Sequence, residues 1–329
     1  MLELPLMNSP LKLTGYILFI AIIASACFAA ANTVSLQYIM QEKFDGRELK
    51  LVKILATTDA YSRYYTTYMS GNLKISGIMN VPKGKGPYPV IITAHGFIEP
   101  GYYTTGRGLK REQDYLASRG YIVFHPDYRN HNGSDKDPEN NLRLNLGYTE
   151  DVINAVYAVK NSDYKFINKD KIGLLGHSLG GGVALNIMVT KPGLIKAYVL
   201  FAPISIDYKK NYYRWIARRG PDVPRKYGPP AIREKIEALY GSPEANPAFW
   251  NNISPKKYIN NITDPVIVHQ GLADKDVPPD WADELAAAFK KDGKEIFLYT
   301  YNGQPHEFTS AWPQVMLISA KFFDSTLKH

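Results

Sequence analysis

Ser178 is the residue around which this sequence can do chemistry. It stands in Gly176-His177-Ser178-Leu179-Gly180, a G-x-S-x-G run followed by Gly181 and Gly182. The apolar run Ile172 to Leu175 before it reads as a buried strand. Val183, Ala184, Leu185, Ile187 and Met188 after it follow a helical pattern. A strand that turns sharply into a helix forces the residue at its tip into a strained backbone conformation. Neighbours without side chains allow the close approach this needs. The turn lifts the Ser178 hydroxyl above the sheet edge, at the positive end of a helix. The bland alternative is a glycine-rich turn with a bystander serine. The strand before, the helix after and the two further glycines argue against it.

A serine hydroxyl is a poor nucleophile at neutral pH. It needs a base within hydrogen-bond reach, and that base needs an orienting carboxylate. On an elbow of this kind the chain order is serine, acid, histidine. The histidines are His95, His125, His131, His177, His269, His306 and His329, and only the last two follow a plausible acid. His329 is the last residue, and chain ends are poorly tied down. His306 lies in Asn302-Gly303-Gln304-Pro305-His306-Glu307-Phe308, after a strand and before the final helix, and is the expected base. For the acid, Val266 to His269 reads as a strand whose following loop carries Asp274 and Asp276. Asp274 follows Gly271 by three residues and can turn back to the sheet edge, so it is preferred. Asp276 ranks second, as a turn cap or a solvent-facing group.

The oxyanion of an acyl-transfer intermediate needs backbone N–H donors. Leu179 should supply one, directly after the nucleophile, and Phe97 the other, in the loop after His95-Gly96. His95 reads as a brace for that loop, and His177 is expected to point away from the nucleophile. Asp127-Tyr128-Arg129 reads as an ion pair holding a loop, with a substrate clamp as the sharper alternative. This chemistry calls for no metal and no cofactor.

The elements that must position these groups alternate along the chain. A polar helix-like stretch spans Ser35 to Lys53, and Tyr64 to Val81 reads as a hairpin turning at Ser70-Gly71-Asn72. Buried runs at Val90–Ala94, Tyr121–His125, Ile172–Leu175, Ala197–Ala202, Pro265–His269 and Glu295–Tyr301 are the strands that follow. Helical patterns at Glu112–Arg119, Thr149–Lys160, Trp281–Lys291 and Ala311–Ser325 separate them. This rhythm predicts an α/β fold with a mostly parallel central sheet and helices on both faces. Residues 203–262 break the rhythm and read as a cap-like insertion over the active edge. Its aromatics (Tyr212, Tyr213, Trp215, Phe249, Trp250) suit a specificity pocket or plain core packing. Its cations (Lys209, Lys210, Arg214, Arg218, Arg219, Arg225, Lys226) read as a solvated face, or more sharply as an attractor of anions.

The chain has 329 residues with 45% hydrophobic content, ample for one large domain. A net charge of +8 is spread along it, with no arginine-rich helix or zinc-finger spacing, so nucleic acid is not an expected partner. The single cysteine, Cys27, excludes an intramolecular disulfide and a cysteine-based zinc site. Lys12 precedes an uncharged run, Leu13 to Ala31, that ends in small residues. Residues 1–31 therefore read as a secretory signal peptide or a membrane anchor, with lipid attachment at Cys27 a third option. The catalytic domain is then exported or membrane-anchored. Residues 32–59 are set down as an N-terminal extension and 60–329 as the catalytic domain.

Across roughly residues 60–325 the chain resembles the catalytic domain of the prolyl oligopeptidase family of serine peptidases, within the α/β-hydrolase superfamily. The resemblance is carried by Ile78 to Pro82, Pro89-Val90-Ile91-Ile92, His95-Gly96, Asp127-Tyr128-Arg129 and Gly176-His177-Ser178-Leu179-Gly180-Gly181. Tyr240-Gly241-Ser242-Pro243-Glu244, Ser254-Pro255, Gly271-Leu272-Ala273-Asp274 with Val277-Pro278, and His306-Glu307-Phe308 continue it in order. The resemblance implies Ser178 as nucleophile, Asp274 as acid and His306 as base. Larger members carry an N-terminal β-propeller, for which residues 32–59 leave no room. The expected function is hydrolysis of an amide or peptide bond, or of an ester, in a small substrate through an acyl-enzyme. The alternatives are a carboxylesterase of the same fold and a hydrolase-fold protein that only binds.

Overall fold

The computed structural model describes residues 34–217 and 230–329. The apolar segment 1–31 with Cys27, and Arg218, Arg219, Arg225 and Lys226 of the insertion, lie outside the described residues. Among the described residues no helix is long and apolar enough to cross a membrane.

Among the described residues nine strands form one sheet: β1 (Arg47–Thr57), β2 (Tyr61–Ser70), β3 (Leu73–Pro82), β4 (Tyr88–Ala94), β5 (Ile122–Pro126), β6 (Ile167–His177), β7 (Ala197–Phe201), β8 (Val266–Gly271) and β9 (Phe297–Tyr301). Their spatial order is β1-β2-β3-β5-β4-β6-β7-β8-β9. The β1, β2, β3 and β5 contacts are antiparallel, and every pair from β5–β4 to β8–β9 is parallel. Parallel neighbours need crossovers, and helices supply most of them. The α-helices among the described residues are α1 (Leu36–Gln41), α2 (Lys110–Ala117), α3 (Leu146–Asn161) and α4 (Leu179–Thr190), then α5 (Tyr208–Asn211), α6 (Pro230–Tyr240), α7 (Pro247–Asn252), α8 (Asp280–Lys291) and α9 (Trp312–Leu327).

The central strands are apolar on both sides because both sides are covered. Val90, Ile92, Leu174, Leu200 and Val268 point into the layer filled by α3 and α4. Their neighbours Ile91, Leu175, Val199 and Ile267 point into the layer filled by α2 and α9. This is the α/β-hydrolase architecture, with the C-terminal ends of the parallel strands at one rim.

The sheet begins earlier than the sequence suggests. Only Leu36–Gln41 of the expected Ser35–Lys53 helix is helical, and Arg47 onward pairs with β2 as a strand. Glu, Leu and Lys in this stretch suit a helix, but the long β2 edge offers a partner, and pairing overrides propensity. Val34, Leu36, Ile39 and Leu49 join the main core. Residues 34–57 thus share the sheet and the core of the residues that follow.

The described residues of 203–262 form α5, a π-helical turn at Tyr212–Ile216, α6, α7 and a 3-10 turn at Pro255–Asn261. Most of their aromatics are core. Trp250 and Tyr212 are buried with rings 4.6 Å apart, and Tyr240 stacks on Phe249 at 4.4 Å. Trp215 differs: it meets Trp281 edge-on at 5.5 Å and packs against the small cluster of Ile204, Val277 and Trp281, which Leu179 also touches.

One contact fixes where α4 starts. A Cβ on Gly180 would lie 1.9 Å from the Ala94 carbonyl oxygen. Gly180→Ala must push α4 off β4, and is expected to cost about 3 kcal/mol. A urea titration reads this as a lower midpoint. An unchanged midpoint would show that helix and strand are not held this close.

Candidate active site

Four loops leave the C-terminal ends of β4, β6, β8 and β9 and converge. Ser178 follows β6 and caps α4, with φ 57° and ψ −118°, a left-handed conformation that a residue with a side chain resists. The surroundings hold it there. Its N–H donates to the Phe201 carbonyl at 2.9 Å, and its carbonyl accepts from Gly181 at 2.9 Å and Ile204 at 3.2 Å. Gly176 passes so near Gly180 that a Cβ would stand 2.5 Å from the Gly180 oxygen. The backbone of Gly96 lies against the nucleophile side chain, where an added Cβ would be 3.1 Å from Ser178 Cβ. As the first residue of α4, Leu179 has an N–H with no acceptor within its own helix. Phe97, next to Gly96, has an exposed side chain.

The acid and base loops are tied together. Ala273 N–H donates to the Gln304 carbonyl and Leu272 N–H to the Tyr301 carbonyl, both at 2.9 Å. Asp274 is buried and Asp276 is exposed. His306 Nδ1 donates to Asp274 Oδ2 at 2.7 Å. The other oxygen, Oδ1, accepts from the N–H groups of Asp276 at 2.8 Å and Val277 at 2.9 Å. Burial alone would raise the Asp274 pKa; the His306 hydrogen bond and charge, then the two amides, hold it below the usual carboxylate value. Burial pushes the His306 imidazole down, but the bond and charge of Asp274 outweigh it, so its pKa is raised.

Asp274, Asp276 and His306 each bring one ligand atom within 4.8 Å of the others, the grouping among the described residues that suits a metal ion. Both oxygens of Asp274 already accept hydrogen bonds, as befits an acid–base pair.

His177 packs on the base loop. Its ring lies 4.4 Å from that of His306, with Nε2 3.3 Å from the His306 carbonyl. Burial first, then the His306 charge, lowers its pKa to about 4, so it is neutral at neutral pH. Because His177 adjoins Ser178, this contact places the base loop beside the nucleophile. His95 braces its loop: it stacks on Tyr128 at 4.2 Å and Tyr103 at 5.0 Å, with Nδ1 2.7 Å from the Gly96 carbonyl. Arg129 is buried and pairs with Asp151, Glu150 and Asp137 at 2.8–2.9 Å, a structural network rather than a substrate clamp. Of the insertion's cations, Lys210 pairs with Glu284, and Arg214 donates to the carbonyls of Asp276 at 2.7 Å and Lys275 at 2.6 Å.

One residue at the site carried no signal in the sequence. Gln270, buried near the end of β8, donates from Nε2 to Asp274 Oδ2 at 3.2 Å. It reads in sequence as one more strand position.

The prolyl oligopeptidase family model matches residues 108–329, more than half of the chain, and the chain belongs to that family. The uncharacterized peptidase YuxL of Bacillus subtilis is 27% identical over 231 residues, which are 69% of this chain and 32% of YuxL. The uncharacterized peptidase YtmA of the same organism is 25% identical over 248 residues, 75% of this chain and 87% of YtmA. The chain thus spans about a third of YuxL but most of YtmA. Among solved structures, an acylaminoacyl peptidase from Pyrococcus horikoshii superposes with a TM-score of 0.64 at 21% identity, covering 82% of this chain and 42% of its own.

Proposed function

As a member of the prolyl oligopeptidase family this chain is a hydrolase of the α/β-hydrolase fold, and we propose that it is a serine peptidase acting on small peptide substrates. The observation that carries the reading is the 2.7 Å bond from His306 Nδ1 to Asp274 Oδ2 beside a serine held in a left-handed turn. Ser178 Oγ attacks the carbonyl carbon and passes its proton to His306 Nε2. The Leu179 and Phe97 N–H groups hold the oxyanion. The proton then goes to the leaving amine as the C–N bond breaks, leaving an acyl-enzyme. Water, deprotonated by the same imidazole, hydrolyses the acyl-enzyme and restores Ser178. Asp274 keeps the tautomer and offsets the imidazolium charge. The apolar group of Trp215, Trp281, Ile204, Val277 and Leu179 lies beside the nucleophile, where a substrate side chain would pack. The run Leu13–Ala31 supports an exported or membrane-anchored enzyme, and the intact mass of the mature protein tests that reading.

A panel of aminoacyl and peptidyl amides beside p-nitrophenyl esters tests the substrate class. Hydrolysis of amides is expected. Turnover of esters with no amide cleaved would replace the peptidase reading by a carboxylesterase one.

The base must be neutral to accept the Ser178 proton, and the His306 pKa is raised above 6.5. kcat/KM should therefore rise with pH along an acid limb whose midpoint lies above 6.5. A limb centred below that value would contradict the pairing with Asp274.

A further inference from the structure

We propose that Gln270 is a positioning residue for the acid–base pair, its buried amide N–H fixing Asp274 Oδ2 in line with His306 Nδ1. The inference rests on the triad reading and extends it to a residue that touches neither substrate nor base.

The Asp274 carboxylate has two oxygens to hold. The Asp276 and Val277 amides hold Oδ1. A carboxyl held at one oxygen can still rock about its last torsion, which is broad for aspartate. His306 cannot be what stops this, because His306 is the group being oriented. Gln270 Nε2, 3.2 Å from Oδ2, is the second side-chain donor to that oxygen.

The orientation of the amide is forced. Nε2 also donates to the Gly271 carbonyl at 3.1 Å. Both partners only accept, so turning the amide over would set Oε1 against a carboxylate and a carbonyl. The arrangement carries a cost: Oε1 is buried with no hydrogen-bond partner among the described residues. An orphaned buried acceptor costs about 1–3 kcal/mol, which a leucine of similar size would avoid. Packing alone therefore favours an apolar residue here, and the contact to Asp274 accounts for the amide. Side chains locked by such supporting bonds hold a site to the sub-ångström tolerance catalysis needs.

The experiment uses the full chain and a fluorophosphonate probe, with labelling rates measured across pH for wild type, Gln270→Leu and Gln270→Glu. Urea midpoints check that each variant folds. Gln270→Leu should label about 10- to 100-fold more slowly at every pH, as a small misplacement of a catalytic group does. Gln270→Glu is isosteric, and its protonated carboxyl can donate to Oδ2 in place of the amide. The ionisable groups gathered there are Asp274 and His306, with His177, Asp276 and Glu307 acting on His306 or held against it. A second carboxylate beside Asp274 cannot ionise without repulsion. The ratio of Gln270→Glu to wild-type rates should thus be near one at the acid end and fall as pH rises. A merely structural glutamine would give no such slope. Wild-type labelling in folded Gln270→Leu, or a flat ratio for Gln270→Glu, overturns the proposal while the triad stands. If the leucine variant does not fold, the slope of the glutamate variant decides. A wild type that fails to label at Ser178 overturns the triad reading, and this inference with it.

Discussion

Ser178→Ala is expected to lower kcat by a factor on the order of 10⁶, the loss seen when a triad nucleophile is removed. The loss is one of chemistry rather than packing. Ser178 is half-buried at the tip of the elbow, and its backbone is held by the Phe201, Gly181 and Ile204 bonds, none of which uses the hydroxyl. Alanine keeps those bonds and removes only the atom that forms the acyl bond. KM should change little and the urea midpoint should stay near that of wild type. Residual turnover would come from the N–H groups of Leu179 and Phe97 acting on a water attack. A variant that keeps substantial turnover would remove Ser178 from the chemistry. A folded wild type that hydrolyses nothing in the substrate panel would favour the binding-only reading.

Asp274→Asn should cost a factor of about 10⁴ in kcat. Asparagine has nearly the same shape, and its amide oxygen can still accept from Asp276 and Val277. Its NH₂ would then face His306 Nδ1, where a hydrogen-bond acceptor now stands at 2.7 Å. The imidazole must present a lone pair at Nδ1 to meet it, which leaves Nε2 protonated and unable to take the serine proton. The imidazolium also loses the carboxylate that offsets its charge. Asp276→Asn is the matched control. Asp276 is exposed and takes part in the acid loop through its backbone N–H, so its loss should be less than about tenfold. Equal losses in the two variants, or a larger one at Asp276, would reverse the assignment of the acid.

Much of this site was legible in the sequence because its signals are local. The glycines around Ser178 are needed by backbone contacts a few residues away, so the elbow shows as a pattern. The chain order of serine, carboxylate and histidine narrowed seven histidines to two, the terminal place of His329 left His306, and the structure brings His306 and Asp274 into contact. The alternation of apolar strands with helical segments likewise gave the two-faced parallel sheet. What escaped depends on tertiary context. Residues 47–57 have a composition that suits a helix and became a strand because β2 offered an edge. His177 turned toward His306 because the base loop packs over it, and no local rule sets that rotamer. Gln270 is one polar residue in a strand, and its meaning lies in where the Asp274 loop returns. Most of the insertion's aromatics proved to be core, since Trp250 and Tyr212 found buried partners, and sequence cannot say which side a ring will face.

The central claim is that Ser178, His306 and Asp274 act as one nucleophilic unit. Protein inactivated by a fluorophosphonate and then digested for mass spectrometry tests it most directly. The account predicts a single phosphonylated peptide, the one carrying Ser178, with the modification absent from His306→Ala protein. An adduct on another residue, or none on folded protein, would contradict it.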